Sequence, residues 1–127
     1  MRRRGSSSPC TGVFPHYNWV GIYRLERGNL VLGPFQGKPT EHTCIPVGKG
    51  ICGSAAVSLA TEVVPDVGAD ARYLACSAEI SSEIVVPILK EGEFWGEIDI
   101  DSDTRGAFTA DDVELLEAVA KLLAGRL

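Results

Sequence analysis

Two apolar-rich stretches, residues 83–89 and 94–101, flank the polar loop Lys90-Glu91-Gly92-Glu93. Runs of that kind around a short glycine-containing loop predict a β-hairpin, the strongest single constraint on the fold. Side chains alternate along a strand, so Phe94, Ile98 and Ile100 take one face of the second stretch. Trp95, Glu97, Asp99 and Asp101 take the other. One face is ready for a core, and the other carries three carboxylates at i, i+2 and i+4. Like charges in a row cost free energy unless water or a cation compensates them. A solvent-exposed sheet face is the simpler reading; Trp95 on the same side argues that the face is covered.

The rest of the chain is strands broken by turns. Residues 17–25 read as a strand, Arg27-Gly28-Asn29 as a turn and 30–34 as its partner. Ile45-Pro46-Val47 is a short extended piece entering Gly48-Lys49-Gly50. Residues 54–60 read as a short helix and 62–64 as a strand, followed by a turn at Pro65-Asp66. The last segment is the best-marked helix. Thr109 is its N-cap, Asp112 lies near the positive end of its dipole, and Phe108 and Val113 can staple the cap. Val113, Leu116, Val119, Ala120 and Leu123 follow helical spacing. The expected class is α+β: a mostly antiparallel sheet with few helices. At 127 residues the chain has the size of one domain. Residues 1–14 read as a flexible Arg/Ser leader and 15–127 as the domain.

Charge and cysteine usage narrow the partners. Seventeen Asp+Glu oppose twelve Lys+Arg, three of them Arg2, Arg3 and Arg4 at the terminus. Such a body repels a phosphate backbone and an acidic membrane surface, so neither nucleic acid nor membrane is an expected partner. No apolar run approaches the length of a membrane span. The start lacks the apolar stretch of a secretory signal. Cys10, Cys44, Cys52 and Cys76 are then read as thiols in a reducing compartment, which implies a cytoplasmic protein. No C-x-x-C occurs. A zinc set of His42, Cys44, Cys52 and Cys76 can be drawn, but structural zinc sites use close-set ligand pairs, so no metal is expected.

Three features bear on chemistry. Gly48-Lys49-Gly50-Ile51-Cys52-Gly53 spells G-x-G-x-x-G, which has its dinucleotide meaning only between a parallel strand and a full crossover helix. Among hairpins it reads instead as a close-approach loop, placing Cys52 near a helix N-terminus, a position that favours a thiolate. Trp19 and Tyr23 share one face of their strand. They form either a core pair or, with Gly21 leaving room between them, a pocket wall.

Six segments occur in register: Asn18-Trp19-Val20-Gly21-Ile22-Tyr23, Leu32-Gly33-Pro34-Phe35-Gln36-Gly37-Lys38-Pro39, residues 45–53, Ala75-Cys76, residues 82–87 and Asp99-Ile100-Asp101-Ser102. With them the chain resembles the free methionine-(R)-sulfoxide reductases, a branch of the GAF domain fold. It implies a central antiparallel sheet of about six strands with helices on one side, commonly as a homodimer. An N-terminal helix usual in the family would be missing or shortened here. It also implies Cys76 as attacking nucleophile and Cys52 as resolving thiol, with Glu83, Asp99 and Asp101 as pocket carboxylates and Trp19 and Tyr23 as the aromatic wall. Where many members carry a further cysteine this chain has His42, so Cys44 is an alternative resolving thiol. The implied substrate is free L-methionine (R)-sulfoxide and the implied reductant thioredoxin, with no cofactor. A thiolate attacks the sulfoxide sulfur once its oxygen is protonated, leaving a sulfenic acid that a second thiol converts to a disulfide. The alternative is a GAF module that binds a small ligand without turnover.

Overall fold

A computed structural model describes residues 17–72 and 80–127. Six strands form one sheet: β1 (Trp19–Glu26), β2 (Asn29–Gln36), β3 (Cys44–Pro46), β4 (Glu62–Val64), β5 (Ser82–Lys90) and β6 (Glu93–Ser102). Their order across the sheet is β3-β2-β1-β6-β5-β4, and every neighbouring pair is antiparallel. Two helices accompany them, α1 (Gly50–Ser58) and α2 (Ala110–Ala124), with a short 3-10 turn at Val67–Ala69. The α+β class and the antiparallel sheet are as expected, and the antiparallel pairing removes the dinucleotide reading of the glycine loop. The leader and the N-terminal helix of the sequence reading lie outside the described residues. Among the described residues no helix is long and apolar enough to cross a membrane.

Alternation along β1, β5 and β6 divides the core in two. Ile84, Val86, Ile88, Ile98 and Ile100 pack with Val20, Ile22, Leu116 and Ala120 beneath α2. Burying each of these aliphatic side chains contributes about 1.5–3 kcal/mol. Trp19, Tyr23 and Val85 point the opposite way, against Ile51, Cys52, Ala55 and Ala56 of α1. The long helix therefore covers one face and the short helix the other, where the resemblance implied helices on one side only. The physical reason is that both faces of the central strands are buried, so each needs its own cover.

Helix α1 begins at Gly50, four residues earlier than the sequence reading. Gly50 and Gly53 are poor helix formers, and the burial of Ile51, Cys52, Ala55 and Ala56 outweighs that propensity. A Cβ at Gly53 would come within 2.8 Å of the Gly48 backbone, so the G-x-G-x-x-G spacing serves a tight backbone crossing. At the start of α2 the expected cap is present: the Thr109 N–H donates to Asp112 Oδ2 at 2.8 Å. Tyr17 Oη donates to Asp112 Oδ1 at 2.6 Å, tying the entry to β1 onto this helix.

One assignment on β6 is corrected. Ile88 pairs with Gly96 and Leu89 with Phe94, so Trp95 falls in a bulge. The extra residue reverses the alternation. Trp95 joins the α2-side core and Phe94 the α1-side core, the reverse of the expected faces. Trp95 therefore does not cover the carboxylates.

Candidate active site

Strand register stacks the site residues in rows on the α1 side. Trp19 lies opposite Asp101, which pairs with Glu83 on β5; Tyr23 lies opposite Glu97. Between those rows Gly21 faces Asp99. The acidic face is covered, not solvated: Glu83, Glu97, Asp99 and Asp101 are all buried, Glu97 completely. Sequence alternation had placed three of these on one face, and the adjacent strand supplies Glu83.

The aromatic pair forms a wall. Trp19 Nε1 donates to the Lys38 carbonyl at 3.0 Å, and Tyr23 Oη donates to the His42 carbonyl at 2.7 Å. The ring centroids lie 6.5 Å apart. Gly21 leaves no open gap between them, because a Cβ there would meet Trp19 Cη2 at 2.2 Å. The indole itself fills the space that Gly21 provides. Trp19 also stacks on Phe35 at 5.9 Å, fixing its orientation.

This wall borders a cavity of about 310 Å³ lined by Trp19, Tyr23, Lys38, Ile80, Asp99 and Asp101 among others. The volume suits a small molecule. A second cavity of about 20 Å³ is lined by Tyr23, His42, Cys52, Glu83 and Asp99 among others. Tyr23 and Asp99 line both. Sequence reasoning missed Lys38 and Ile80 as lining residues, since they come from a loop and a strand approach without a distinguishing pattern.

Cys52 reaches the carboxylates from α1. Its thiol donates to Asp99 Oδ2 at 3.2 Å. Burial pushes the thiol pKa well above its ordinary value, and Asp99, Glu83 and Glu97 push it further. This corrects the expectation of a thiolate at a helix N-terminus: desolvation and three carboxyls outweigh the dipole. Cys44 is exposed on β3, and Cys76 lies outside the described residues. Polar atoms of Cys52, Glu83 and Asp99 all lie within 4.8 Å of one another, a donor set that could hold a cation. Among the described residues His42 and Cys44 join no such group, so the zinc set drawn from the sequence is not assembled there.

The carboxyls titrate unequally. Burial raises Glu83 and Asp101 well above the usual carboxylate range, with Asp99 adding to both. Asp99 is raised less, because hydrogen bonds from Glu83 and Cys52 favour its ionised form. Asp99 is thus the member that gives up its proton most readily, set between Glu83 and Asp101, which hold theirs more tightly. Among the described residues no Lys or Arg forms an ion pair with any of them. Such a cluster can receive a cationic ligand and give up a proton beside it.

Residues 14–127 match the family model of the GAF domain. The chain is 46% identical over 110 residues to the free methionine-R-sulfoxide reductase of Saccharomyces cerevisiae, covering 84% of this chain and 61% of that protein. It thus spans less than two thirds of the yeast protein. It superposes with a TM-score of 0.89, at 42% identity, on the type II free methionine-R-sulfoxide reductase of Thermoplasma acidophilum, covering 91% of this chain and 82% of that one. The free methionine-R-sulfoxide reductase of Neisseria meningitidis, solved in complex with its substrate, gives a TM-score of 0.87 at 40% identity over 91% of this chain and 70% of that one.

Proposed function

Because the chain belongs to the GAF domain family and to its free methionine-R-sulfoxide reductase branch, we propose that it reduces free L-methionine (R)-sulfoxide to L-methionine. The observation that carries this reading is the buried carboxyl cluster whose Asp99 and Asp101 line the 310 Å³ cavity beside Trp19 and Tyr23. A free amino acid brings a cation to that cluster as its ammonium group. Trp19 and Tyr23 supply an apolar wall for the methyl thioether end.

The chemistry follows from the unequal carboxyls. Asp99, the least raised member, attracts the ammonium, while Glu83 or Asp101 protonates the sulfoxide oxygen. Cys76 attacks the sulfur; methionine leaves and the oxygen stays on Cys76 as a sulfenic acid. Cys52 then displaces that oxygen as water, forming a Cys52–Cys76 disulfide. Its support is the position of Cys52 against Asp99 and the exposure of Cys44 away from the cluster. Thioredoxin as reductant, a homodimer and a cytoplasmic location enter on the resemblance; free thiols at Cys44 and Cys52 suit a reducing compartment. Residues 1–14 as a leader belong to the same proposal.

A thioredoxin-coupled assay tests the reading. Free methionine (R)-sulfoxide should consume reductant, and Cys76→Ser should abolish methionine release even with excess dithiothreitol. Binding of the sulfoxide without turnover by the parent protein would make this a ligand-binding module instead.

A further inference from the structure

The smaller of the two cavities suits a different kind of ligand. It measures about 20 Å³ and is lined by Cys52, Glu83 and Asp99 together, with Tyr23, His42 and Ile45 among its other walls. A space of that size admits one water molecule or one metal ion. Three elements each deliver one donor: the Cys52 sulfur from α1, a Glu83 oxygen from β5 and an Asp99 oxygen from β6. All three atoms lie within 4.8 Å of one another, on buried side chains. Four-coordinate zinc, with bonds of about 2.0–2.3 Å, sets its ligand atoms about 3.2–3.6 Å apart. The Cys52 sulfur already stands 3.2 Å from Asp99 Oδ2.

A second observation, independent of that spacing, points to a cation. Asp99 Oδ1 and Asp101 Oδ1 are buried and have no hydrogen-bond partner. Asp101 lies directly opposite Glu83 across the strand pair, beside the donor set. Buried oxygens of this kind are costly unless a donor, an ordered water or a metal satisfies them. A water has two protons to give, whereas a dication attracts every oxygen of the row at once. The donor chemistry selects the ion. Magnesium and calcium take oxygen ligands in six or more positions, and copper(I) favours sulfur; zinc(II) accepts one thiolate and two carboxylates. The zinc set drawn from the sequence shares only Cys52 with this one, because these ligands come from three separate elements.

We propose that the 20 Å³ cavity is a binding site for a divalent cation of the zinc class, held by Cys52 Sγ and by one oxygen each of Glu83 and Asp99. Binding exchanges protons for metal. The Cys52 S–H bond, directed at Asp99 Oδ2, breaks as the metal–sulfur bond forms, and its proton passes to the buffer. A proton on Glu83 leaves the same way, and no atom changes oxidation state. A bound ion occupies Cys52 and Asp99 together. It therefore blocks turnover, a consequence that rests on the reading of those residues as parts of the reductase; the site itself does not.

The test titrates the full chain, reduced and treated with chelator, with Co²⁺ as the spectroscopic probe and then with Zn²⁺. One equivalent of Co²⁺ should give a near-ultraviolet thiolate-to-cobalt band and the intense visible bands of four-coordination, and Zn²⁺ should bleach both. Cys52→Ala should abolish the thiolate band, whereas Cys44→Ala should keep it. Asp99→Asn and Glu83→Gln, which preserve shape, should each weaken Co²⁺ binding about a hundredfold with circular dichroism unchanged. A band that survives Cys52→Ala and disappears with Cys44→Ala puts the metal on the exposed thiol and overturns the proposal. So does the lack of any thiolate band in the parent, or equal affinity in the two carboxyl variants. Methionine sulfoxide turnover, measured in parallel, separates the two readings. An active protein without the cobalt band overturns the metal site alone, and a cobalt-binding protein without turnover overturns the reductase reading alone.

Discussion

On the α2 side of the sheet, Ile84, Val86, Ile88, Ile98 and Ile100 bury their side chains against Leu116 and Ala120. One residue along the same two strands, Glu83, Glu97, Asp99 and Asp101 are buried to nearly the same degree against α1 and the cavities. Backbone, register and burial are shared; the sign of the burial energy is not. Each aliphatic side chain gains about 1.5–3 kcal/mol on leaving water. Each carboxyl loses hydration and keeps its place by holding a proton or sharing one with a neighbour. The α2 face is thus where stability is generated, and the α1 face is where part of it is given up to assemble a proton-rich pocket. Substitutions on the two faces should separate folding from chemistry.

The largest effect expected from this contrast is on the apolar face. Ile100→Ala removes a side chain that is 1% exposed and should cost about 2–5 kcal/mol, measured by denaturant unfolding. The neighbouring Asp99 and Asp101 sit on the opposite face, so substrate affinity should change little in the molecules that remain folded. A loss of affinity as large as the loss of stability would break the separation.

A somewhat smaller effect, opposite in sign, is expected at Glu97. An unfolded glutamate titrates near its ordinary value of 4.5, whereas burial holds the folded one at about 9. Between those values the unfolded chain releases a proton that the native state keeps, so the native state loses stability as pH rises. At pH 7 the penalty is about 3 kcal/mol. Glu97→Gln should recover much of it: the variant gains over the parent at pH 8 and shows almost no gain at pH 4.5. Equal unfolding midpoints for the two proteins at pH 8 would place Glu97 in contact with water or a partner.

Asp101→Asn sharpens the other half of the comparison. It keeps the shape and neutral charge of the protonated acid but removes its titration, so the fold should be intact by circular dichroism. Turnover of free methionine sulfoxide should fall about thirty-fold or more through loss of a proton donor beside the sulfoxide oxygen. An unchanged kcat/KM would remove Asp101 from the pocket chemistry.

Much of this was legible from alternation and turn chemistry alone. The hairpin around Lys90–Glu93, the cap at Thr109 and the carboxylate row on β6 follow from local pattern, and the structure contains all three. The placement of Trp95 was not legible, because a one-residue bulge reverses every inference from period two. Helix α1 was read late because two glycines mask a segment whose helicity depends on tertiary burial. Burial of the acidic row depends on α1 crossing the sheet; a strand pattern cannot tell a covered acid from a solvated one. The thiol at Cys52 was misjudged for the same reason. A helix N-terminus is visible in sequence, whereas three carboxyls arriving from two other strands are not.

The central claim is that the buried carboxyl cluster reads the free ammonium group of its substrate. The most direct measurement compares kcat/KM for free methionine (R)-sulfoxide and for its N-acetyl derivative, under identical reductant and pH. Acetylation removes the cation and leaves the sulfoxide chemistry unchanged. The account predicts a preference of about thirty-fold or more for the free amino acid. Equal values for the two compounds would contradict it and turn the cavity into a site for methionine sulfoxide within peptides.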